Sequence, residues 1–305
     1  MIDIDCEYKL KEDIEFIIET EKINKNTASL HTLTLDKQID LMNKENLRSV
    51  LCLKKAKTSL KEAINLVAKT YLEKKTILFM GAGTSGRLGI LEAAELPPTF
   101  STLPKDFKAL IAGGNKAVFK AVEGAEDSTE QGSKDFLKNI KNLGALITIA
   151  ASGNTPYIQG ALKTAKQKKV PTILITSNKN ASKENADIFV FLDTGAEFIS
   201  GSTRLKAASA AKFALNMITT LAMAKCNKVY KNYMVDVKAT NTKLKARATR
   251  LIALTLNISE EKAKILAQKT NYKVKEAILL GKGKKNYKTL LKKYKGNLEA
   301  ALNDK

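Results

Sequence analysis

The sequence predicts an α/β protein in which five parallel strands form one sheet with helices on both faces, followed by a small all-helical C-terminal module. Five short apolar runs have the length and composition of buried strands, and helical stretches separate most of them. Such alternation is typical of a doubly wound parallel sheet. After about residue 237 only helical spacing remains. Because ligands bind at the carboxyl ends of strands in such sheets, the loops there are the first candidates for a site.

The chain is expected to divide into an N-terminal helical arm at 1–58, a sheet domain at 59–237 and a helical module at 238–305. Each expected strand is a continuous apolar run, which indicates burial on both faces. The expected strands are 76–80, 107–112, 145–150, 171–176 and 187–192, and the helices between or after them are 86–96, 129–142, 156–168 and 203–225.

The arm is polar, with weak helical periodicity around 14–18 and 39–42. The first clear helix is expected over 59–75, with Ser59 as its N-cap. The module is expected to open with a helix over 240–256. Its apolar positions are Leu244, Leu251 and Leu254, and shorter helices follow near 259–269, where Ser259 resembles a helix start, and near 272–280, 284–294 and 296–303.

Charge and composition limit the classes of partner. The net charge of +21 raises nucleic acid as a partner, but only five of the 52 basic residues are Arg, and the Lys residues are spread along the chain with some concentration after Lys262. Arg is the side chain that reads bases and clamps phosphates, so no specific nucleic-acid binding is expected. No apolar run approaches the roughly 20 residues that span a bilayer, and no membrane partner is expected.

The N-terminus and the cysteines indicate a reducing cytoplasm. The first residues, Met1–Glu7, are acidic and do not resemble a secretory signal. Cys6, Cys52 and Cys226 lie far apart, with neither metal-site nor disulfide-framework spacing. Since His31 is the single histidine, a structural zinc site is not expected, and no metal is assigned.

The stretch 81–99 carries the strongest functional signal. It reads as a glycine-rich turn after a buried strand, followed by a helix that Pro97 and Pro98 should stop. Small residues let a backbone approach a ligand, and a helix N-terminus offers free N–H groups to an anion. Thr84 and Ser85 in this turn are therefore expected to bind a phosphate.

Two further loops share this design of small polar residues before a helix. In the second loop, Thr155 is a suitable N-cap and Pro156 suits the first helical position. The third opens the long helix at 203–225 and adds basic side chains. The expected phosphate contacts are Ser152, Asn154 and Thr155 in the second loop, and Ser202, Thr203, Arg204 and Lys206 in the third. Each loop alone could be a simple turn, but three in one sheet favour a sugar-phosphate site.

Two carboxylates have opposite expected settings. Glu95 lies at the expected C-terminal end of its helix, where the macrodipole disfavours an anion, which suits a general acid. Glu126 comes just before the helix at 129–142, where the ionised form is favoured, which suits a general base. Glu92 and Glu123 are nearby carboxylates that such reasoning could confuse with them. Taken alone, each of Glu95 and Glu126 would more often be a solvated surface residue.

Several segments resemble the N-acetylmuramic acid 6-phosphate etherase family, in order from about 20 to 250. The family is similar to sugar isomerase (SIS) domain proteins, so the resemblance implies a SIS-type five-stranded parallel sheet and a homodimer. The segments are Gly81–Thr99, Ile111–Gly114, Ala121–Ser128, Ala150–Tyr157, Gly195–Glu197, Gly201–Ala207, Leu215–Met217, Met234–Val237 and Thr240–Asn241.

The resemblance implies a reaction that consumes water. The lactyl ether of N-acetylmuramate 6-phosphate is cleaved to N-acetylglucosamine 6-phosphate and D-lactate, a step in cell-wall amino sugar recycling. The opened sugar exposes an aldehyde at C1, the C2 proton is removed, lactate leaves C3 and water adds back. No metal, nucleotide or other cofactor is implied.

The family's catalytic acid falls on Glu95 and its second catalytic carboxylate on Glu126. The sequence departs from the family pattern elsewhere: Leu96 stands where Cys is usual, and Tyr233 and the arm around His31 are altered. None of these departures touches the two carboxylates.

Three rival readings share the fold. A non-catalytic regulator that binds a sugar phosphate is disfavoured by the retained Glu95 and Glu126. An aldose–ketose isomerase also removes a C2 proton, but the motif 124–128 argues against it. A SIS-type transcription factor would need a helix-turn-helix before the sheet, and none is predicted.

Overall fold

A five-stranded parallel sheet forms the centre of the computed structural model, which describes residues 18–304. Its strands are β1 (Thr76–Gly81), β2 (Phe107–Ile111), β3 (Leu143–Ile149), β4 (Thr172–Thr176) and β5 (Ile188–Phe191). They lie in the order β2-β1-β3-β4-β5, and every neighbouring pair is parallel. Each strand lies within two residues of its expected range, and the predicted fold class is confirmed.

Helices separate these strands as expected, except that β5 follows β4 with no helix between them. Short 3₁₀ turns at Glu19–Glu21 and Leu30–Thr32 come first. The acidic stretch 1–7, Cys6 and positions 14–17 of the weak periodicity lie outside the described residues. The helices are α1 (Leu35–Lys55), α2 (Lys57–Leu72), α3 (Gly83–Phe100), α4 (Lys116–Phe119), α5 (Thr129–Lys138), α6 (Pro156–Gln167) and α7 (Lys206–Lys225).

Successive side chains of β1 point to opposite faces of the sheet and enter two different cores. Ile77 and Phe79 pack with residues of α1, α2, α3 and α7, whereas Leu78 and Met80 pack with residues of α5 and α6. All four side chains are fully buried. This alternation explains the continuous apolar runs in the sequence, because helices cover both faces of the sheet.

Helix α3 differs from its expected course. Pro97 and Pro98 do not stop the helix but lie in its last turn, and Ser101 ends it with a left-handed backbone at φ +53°. The two prolines remove the N–H bonds to the carbonyls of Ala93 and Ala94, which is costly inside a helix, and the burial of Leu96 and Phe100 on the same turns offsets that cost. The expected cap at 59 is also wrong, because α2 begins at Lys57.

Helix α7 corrects the expectation that no apolar run approaches membrane-spanning length. Among residues 18–304 it is the one helix whose length and composition would allow it to cross a bilayer. Half of its apolar window is buried inside the protein, where it packs against α1, α2 and α3. Successive turns contribute Ala210, Ala214, Leu215 and Ile218 to the core at zero exposure.

The C-terminal residues form a cluster of short helices around their own apolar core. Leu251 is buried in that core as expected, whereas Leu254 is 54% exposed. Asp236 accepts hydrogen bonds or ion pairs from Lys275 at 2.8 Å and Lys228 at 3.1 Å, which links the cluster to the end of α7. The helices are α8 (Thr242–Leu256), α9 (Glu260–Lys269), α10 (Val274–Gly281), α11 (Tyr287–Lys293) and α12 (Leu298–Leu302).

Candidate active site

An open cavity of about 260 Å³, here called the cleft, lies at the carboxyl ends of β1 and β3. This is the edge at which parallel sheets bind ligands. Loops after both strands, the N-terminal arm and one acidic side chain from the β2–α5 connection contribute to it. The lining residues are Thr20, Glu21, Ala82, Gly83, Thr84, Ser85, Glu126, Ile149, Ala150, Ala151, Ser152, Thr155 and Thr203.

The first glycine-rich turn lies in the cleft, and both Thr84 and Ser85 line it. Gly83 has φ +50° with open space where a side chain would begin, so a left-handed backbone faces the cavity. Gly86, in contrast, is required by close packing rather than by its backbone conformation. A Cβ there would lie 2.5 Å from Ile111, so this glycine lets α3 pack closely on the end of β2.

The second loop places two of its three expected residues in the cleft. Ser152 and Thr155 line it with their hydroxyl oxygens 3.4 Å apart. Helix α6 begins at Pro156 as predicted, and the Thr155 hydroxyl makes no capping bond to the helix backbone. Asn154 does not line the cleft, because its side chain accepts a hydrogen bond from the backbone N–H of Ser182 at 3.1 Å.

The third loop differs most from expectation, because an internal anion already occupies the start of α7. The fully buried carboxylate of Glu197 accepts the backbone N–H groups of Lys206 and Ala207, each at 2.9 Å. Burial raises the pKa of Glu197, although these N–H groups oppose that shift. The first N–H groups of α7 therefore already have an acceptor inside the protein. Of the third loop, Thr203 is the residue that lines the cleft.

Lys206 is not available to a phosphate. Its side chain is fully buried, and Nζ lies 2.5 Å from a carboxylate oxygen of Glu45, which is 2% exposed. Arg204 and Ser202 do not line the cleft either, and the Arg204 side chain is exposed. Spacing alone could not show this, because the partner of Lys206 is 161 residues away in the chain.

The N-terminal arm forms one wall of the cleft, which sequence reasoning missed. Thr20 and Glu21 line the cavity, and the carbonyl of Thr20 accepts the backbone N–H of Gly201 at 3.0 Å. Asn24 and Asn26 donate to the two oxygens of Glu45 at 2.7 and 2.8 Å. The recognisable family segment beginning at 20 was the available signal.

Glu45 is the centre of a buried polar cluster that fixes the arm. Burial alone would raise its pKa, but hydrogen bonds from Lys206, Asn26 and Asn24 lower the pKa to about 2. The carboxylate is therefore ionised at neutral pH and holds α1, α7 and the arm together.

Glu126 lines the cleft from the connection between β2 and α5. Its backbone carbonyl accepts the N–H of Tyr157 at 2.9 Å, which ties its loop to the start of α6. Ser128 then caps α5 by accepting the N–H of Gln131 at 3.0 Å. The exposed Glu126 side chain lines the cleft and also a neighbouring cavity of about 170 Å³.

Glu95 lies at the opposite end of α3 from the glycine-rich turn. It follows Gly83 by twelve residues, which at 1.5 Å per residue places it about 18 Å along the helix. The side chain is exposed and lines neither cavity. The helix continues to Phe100, so the expected effect of its C-terminus on Glu95 loses its basis. One protomer does not bring Glu95 and Glu126 together.

Glu92 is a structural carboxylate rather than a solvated one. It is 5% exposed, and its oxygens accept hydrogen bonds from Lys212 at 2.7 Å and from Thr219 at 2.5 Å. Both partners are on α7, so this carboxylate fastens α3 to α7.

Within residues 18–304, no three His, Cys, Asp or Glu side chains are grouped so as to hold a metal ion. His31 is exposed on its 3₁₀ turn and lines neither cavity.

Comparisons with known proteins give a family match to part of the chain and a distant structural likeness. Residues 59–166 match the model of the glucokinase regulatory protein N-terminal SIS domain. A Bacteroides fragilis protein described as a phosphosugar isomerase involved in capsule formation is 14% identical, with a TM-score of 0.49 over 67% of this chain and 98% of that one.

Curated relatives match over almost the whole chain. N-acetylmuramic acid 6-phosphate etherase 1 of Bacillus licheniformis is 41% identical over 93% of this chain and 95% of its own length. The etherase of Clostridioides difficile is 39% identical over 93% of this chain and 95% of its own, and that of Bacillus cereus is 43% identical over 86% and 90%. The chain therefore belongs to the N-acetylmuramic acid 6-phosphate etherase family.

Proposed function

We propose that this etherase works by eliminating lactate and adding water back, with Glu126 as the base. The chain is a carbon–oxygen lyase that cleaves the lactyl ether of N-acetylmuramic acid 6-phosphate. The observation that carries the mechanism is the position of Glu126, in one cleft with the hydroxyls of Ser85, Ser152 and Thr155. A carboxylate beside a phosphate-binding wall suits proton removal from a bound sugar phosphate.

The wall of hydroxyl groups supports a phosphate at one end of the cleft. Thr84, Ser85, Ser152 and Thr155 can donate hydrogen bonds, and the N-terminus of α3 adds its dipole. In the open-chain sugar the aldehyde at C1 acidifies the C2 proton. Glu126 takes that proton, the C3–O bond breaks to release lactate, and water adds to C3 of the unsaturated aldehyde while C2 regains a proton.

Glu95 is the proposed proton donor to the departing lactate oxygen, and it needs a second protomer to reach a cleft. We infer a homodimer in which Glu95 of one protomer serves the cleft of its partner. Two observations support this: Glu95 is exposed at the far end of α3, and an apolar stripe is left exposed on α7, which packs against α3. Phe213, Met217 and Leu221, at spacing i, i+4, i+8 on α7, are 39–45% exposed.

A cytoplasmic location and a role in peptidoglycan recycling complete the proposal. The substrate is a phosphorylated sugar, which does not cross membranes unaided, so the enzyme must work where sugars are phosphorylated. The buried thiols of Cys52 and Cys226 agree with a reducing compartment.

Isotopes test the mechanism directly. In heavy water the N-acetylglucosamine 6-phosphate formed should carry deuterium at C2. In ¹⁸O water the label should enter the C3 hydroxyl of that product and leave lactate unlabelled. Oxygen label in lactate, with no deuterium at C2, would mean displacement at the lactyl carbon and would overturn the elimination route.

A further inference from the structure

A second cavity adjoins the cleft, and the phosphate wall does not explain it. It has a volume of about 170 Å³ and shares Ala82, Gly83 and Glu126 with the cleft. Its remaining wall includes two basic side chains, Arg87 and Lys120. The proposed base thus lies at the junction of two spaces, one lined by hydroxyls and the other by Arg87, Lys120 and a second carboxylate, Glu123.

Arg87 is positioned but not neutralised. Its Nε donates to the carbonyl of Val118 at 2.9 Å, and Nη2 donates to the carbonyl of Lys120 at 3.4 Å. These bonds use two of the five guanidinium N–H donors and fix the plane of the group. Among residues 18–304, neither Arg87 nor Lys120 forms an ion pair with a carboxylate.

The substrate has two anionic groups on opposite sides of the reacting carbons. The phosphate is attached to C6, and the lactyl carboxylate is attached through the ether oxygen at C3, next to the C2 proton. If Glu126 acts at C2 and the phosphate lies against Ser152 and Thr155, the lactyl group extends past Glu126 and away from the phosphate. The second cavity is the space that the structure provides there.

We propose that this cavity binds the lactyl carboxylate of the substrate, with Arg87 as its main partner and Lys120 as a supporting charge. The proposal rests on the proposed function and adds a specificity site to it. A fixed guanidinium suits a carboxylate because it can donate two parallel hydrogen bonds. Glu123 also lines this cavity. Its negative charge repels an anion, so the position beside Arg87 is the favourable one.

The test compares two reactions that differ only in the lactyl group. One is release of D-lactate from N-acetylmuramic acid 6-phosphate. The other is exchange of the C2 proton of N-acetylglucosamine 6-phosphate for deuterium, which uses the same phosphate wall and Glu126 but has no lactyl group. The variants are Arg87→Met and Lys120→Met, and Ser152→Ala is the matched control for the phosphate end.

Arg87→Met should raise KM for the muramate substrate about 10- to 100-fold more than KM for exchange, the effect of losing a charged hydrogen-bonding partner. Lys120→Met should show the same selectivity, more weakly. Ser152→Ala should raise KM for both reactions alike. A substrate whose lactyl carboxylate is replaced by a carboxamide should respond much less to Arg87→Met.

Equal effects of Arg87→Met on both reactions, or an undiminished effect on the carboxamide, would overturn the lactyl site. Should Arg87→Met lose its fold, Lys120→Met decides, because its side chain makes no hydrogen bond to the described residues; an unselective Lys120→Met would then overturn the proposal. A wild-type protein that releases no D-lactate would instead contradict the proposed function, which is a different result.

Discussion

Whether a given carboxylate in this protein is exposed or buried does not follow from its neighbours in the sequence. Glu126 and Glu92 both lie close to the glycine-rich turn or its helix, yet one is exposed at the cleft and the other is buried against α7. An exposed carboxylate such as Glu126 can reach a substrate and act as a base. Glu92 is buried and hydrogen-bonded to Lys212 and Thr219, so it stabilises the packing of α3 on α7. Substitutions at the two positions should therefore fail in different ways.

Glu126→Gln should lower kcat by about 10²- to 10⁴-fold, the usual worth of a single general base, with little change in the folded structure because the side chain is exposed. Initial rates of D-lactate release measure this. Glu130→Gln is the control, since it neutralises an exposed glutamate that lines neither cavity. Comparable losses in both variants would show that the effect is not specific to the cleft.

Glu92→Gln should cost stability rather than chemistry. The change weakens hydrogen bonds to Lys212 and Thr219, and we expect a loss of about 1–3 kcal/mol in the free energy of unfolding. Activity per folded molecule should stay within a few-fold of wild type. Urea unfolding and D-lactate assays on the same sample separate the two effects, and a stable but inactive variant would assign Glu92 to the reaction.

At the scale of elements, the buried pair of Glu45 and Lys206 joins α1, α7 and the arm. The same cluster positions Thr20 and Glu21 against the cleft, because Asn24 and Asn26 bind Glu45 from the arm. A buried pair of this kind is costly to break, since the remaining charge has no partner.

Lys206→Met should lower the free energy of unfolding by about 3–5 kcal/mol, because it leaves the Glu45 carboxylate buried and unpaired. Urea unfolding measures this. Lys55→Met is the control: its ion pair with Asp193 is exposed to solvent, so losing it should change the free energy of unfolding far less. Similar losses in both variants would show that burial does not set the strength of the pair.

The same pair predicts a pH dependence. The pKa of Glu45 is lowered in the folded state from 4.5 to about 2, so its contribution to stability is complete above the unfolded value and is lost as the pH falls towards about 2. Wild-type stability should therefore fall between pH of about 5 and about 3 more steeply than that of Glu45→Gln. Parallel curves would show that Glu45 does not contribute to acid unfolding.

At the scale of the whole molecule, the open question is how many chains make one site. The cleft contains Glu126 but not Glu95, and the apolar stripe of Phe213, Met217 and Leu221 is left exposed on the single chain. A homodimer would cover the stripe and could bring the second carboxylate to the cleft.

Mixing two inactive variants tests this arrangement. Glu95→Gln and Glu126→Gln, unfolded and refolded together in equal amounts, should recover about a quarter of the wild-type sites, because half of the dimers are mixed and each mixed dimer has one intact site. If each protomer used its own pair, mixing would restore nothing. Met217→Lys should reduce dimer content in light scattering, since it places a charge in the stripe.

The sequence by itself determined the sheet and the family. Five apolar runs predicted five strands within two residues, because strands buried on both faces have no polar alternation to obscure them. The loops containing Ser85, Ser152 and Thr155 lie together in the cleft because they follow parallel strands, whose carboxyl ends meet at one edge of the sheet. These features are local or follow from topology.

Only the tertiary structure decided which charges are free to act. The sequence predicted Lys206 as a phosphate ligand, but in the structure its side chain is paired with Glu45. At the start of the same helix, the carboxylate of Glu197 accepts the N–H groups that were expected to bind an anion. The arm became a wall of the cleft only because chain segments far apart in sequence meet there. Spacing along the chain reports local geometry, whereas the state of a charge depends on groups that folding brings to it from anywhere in the sequence.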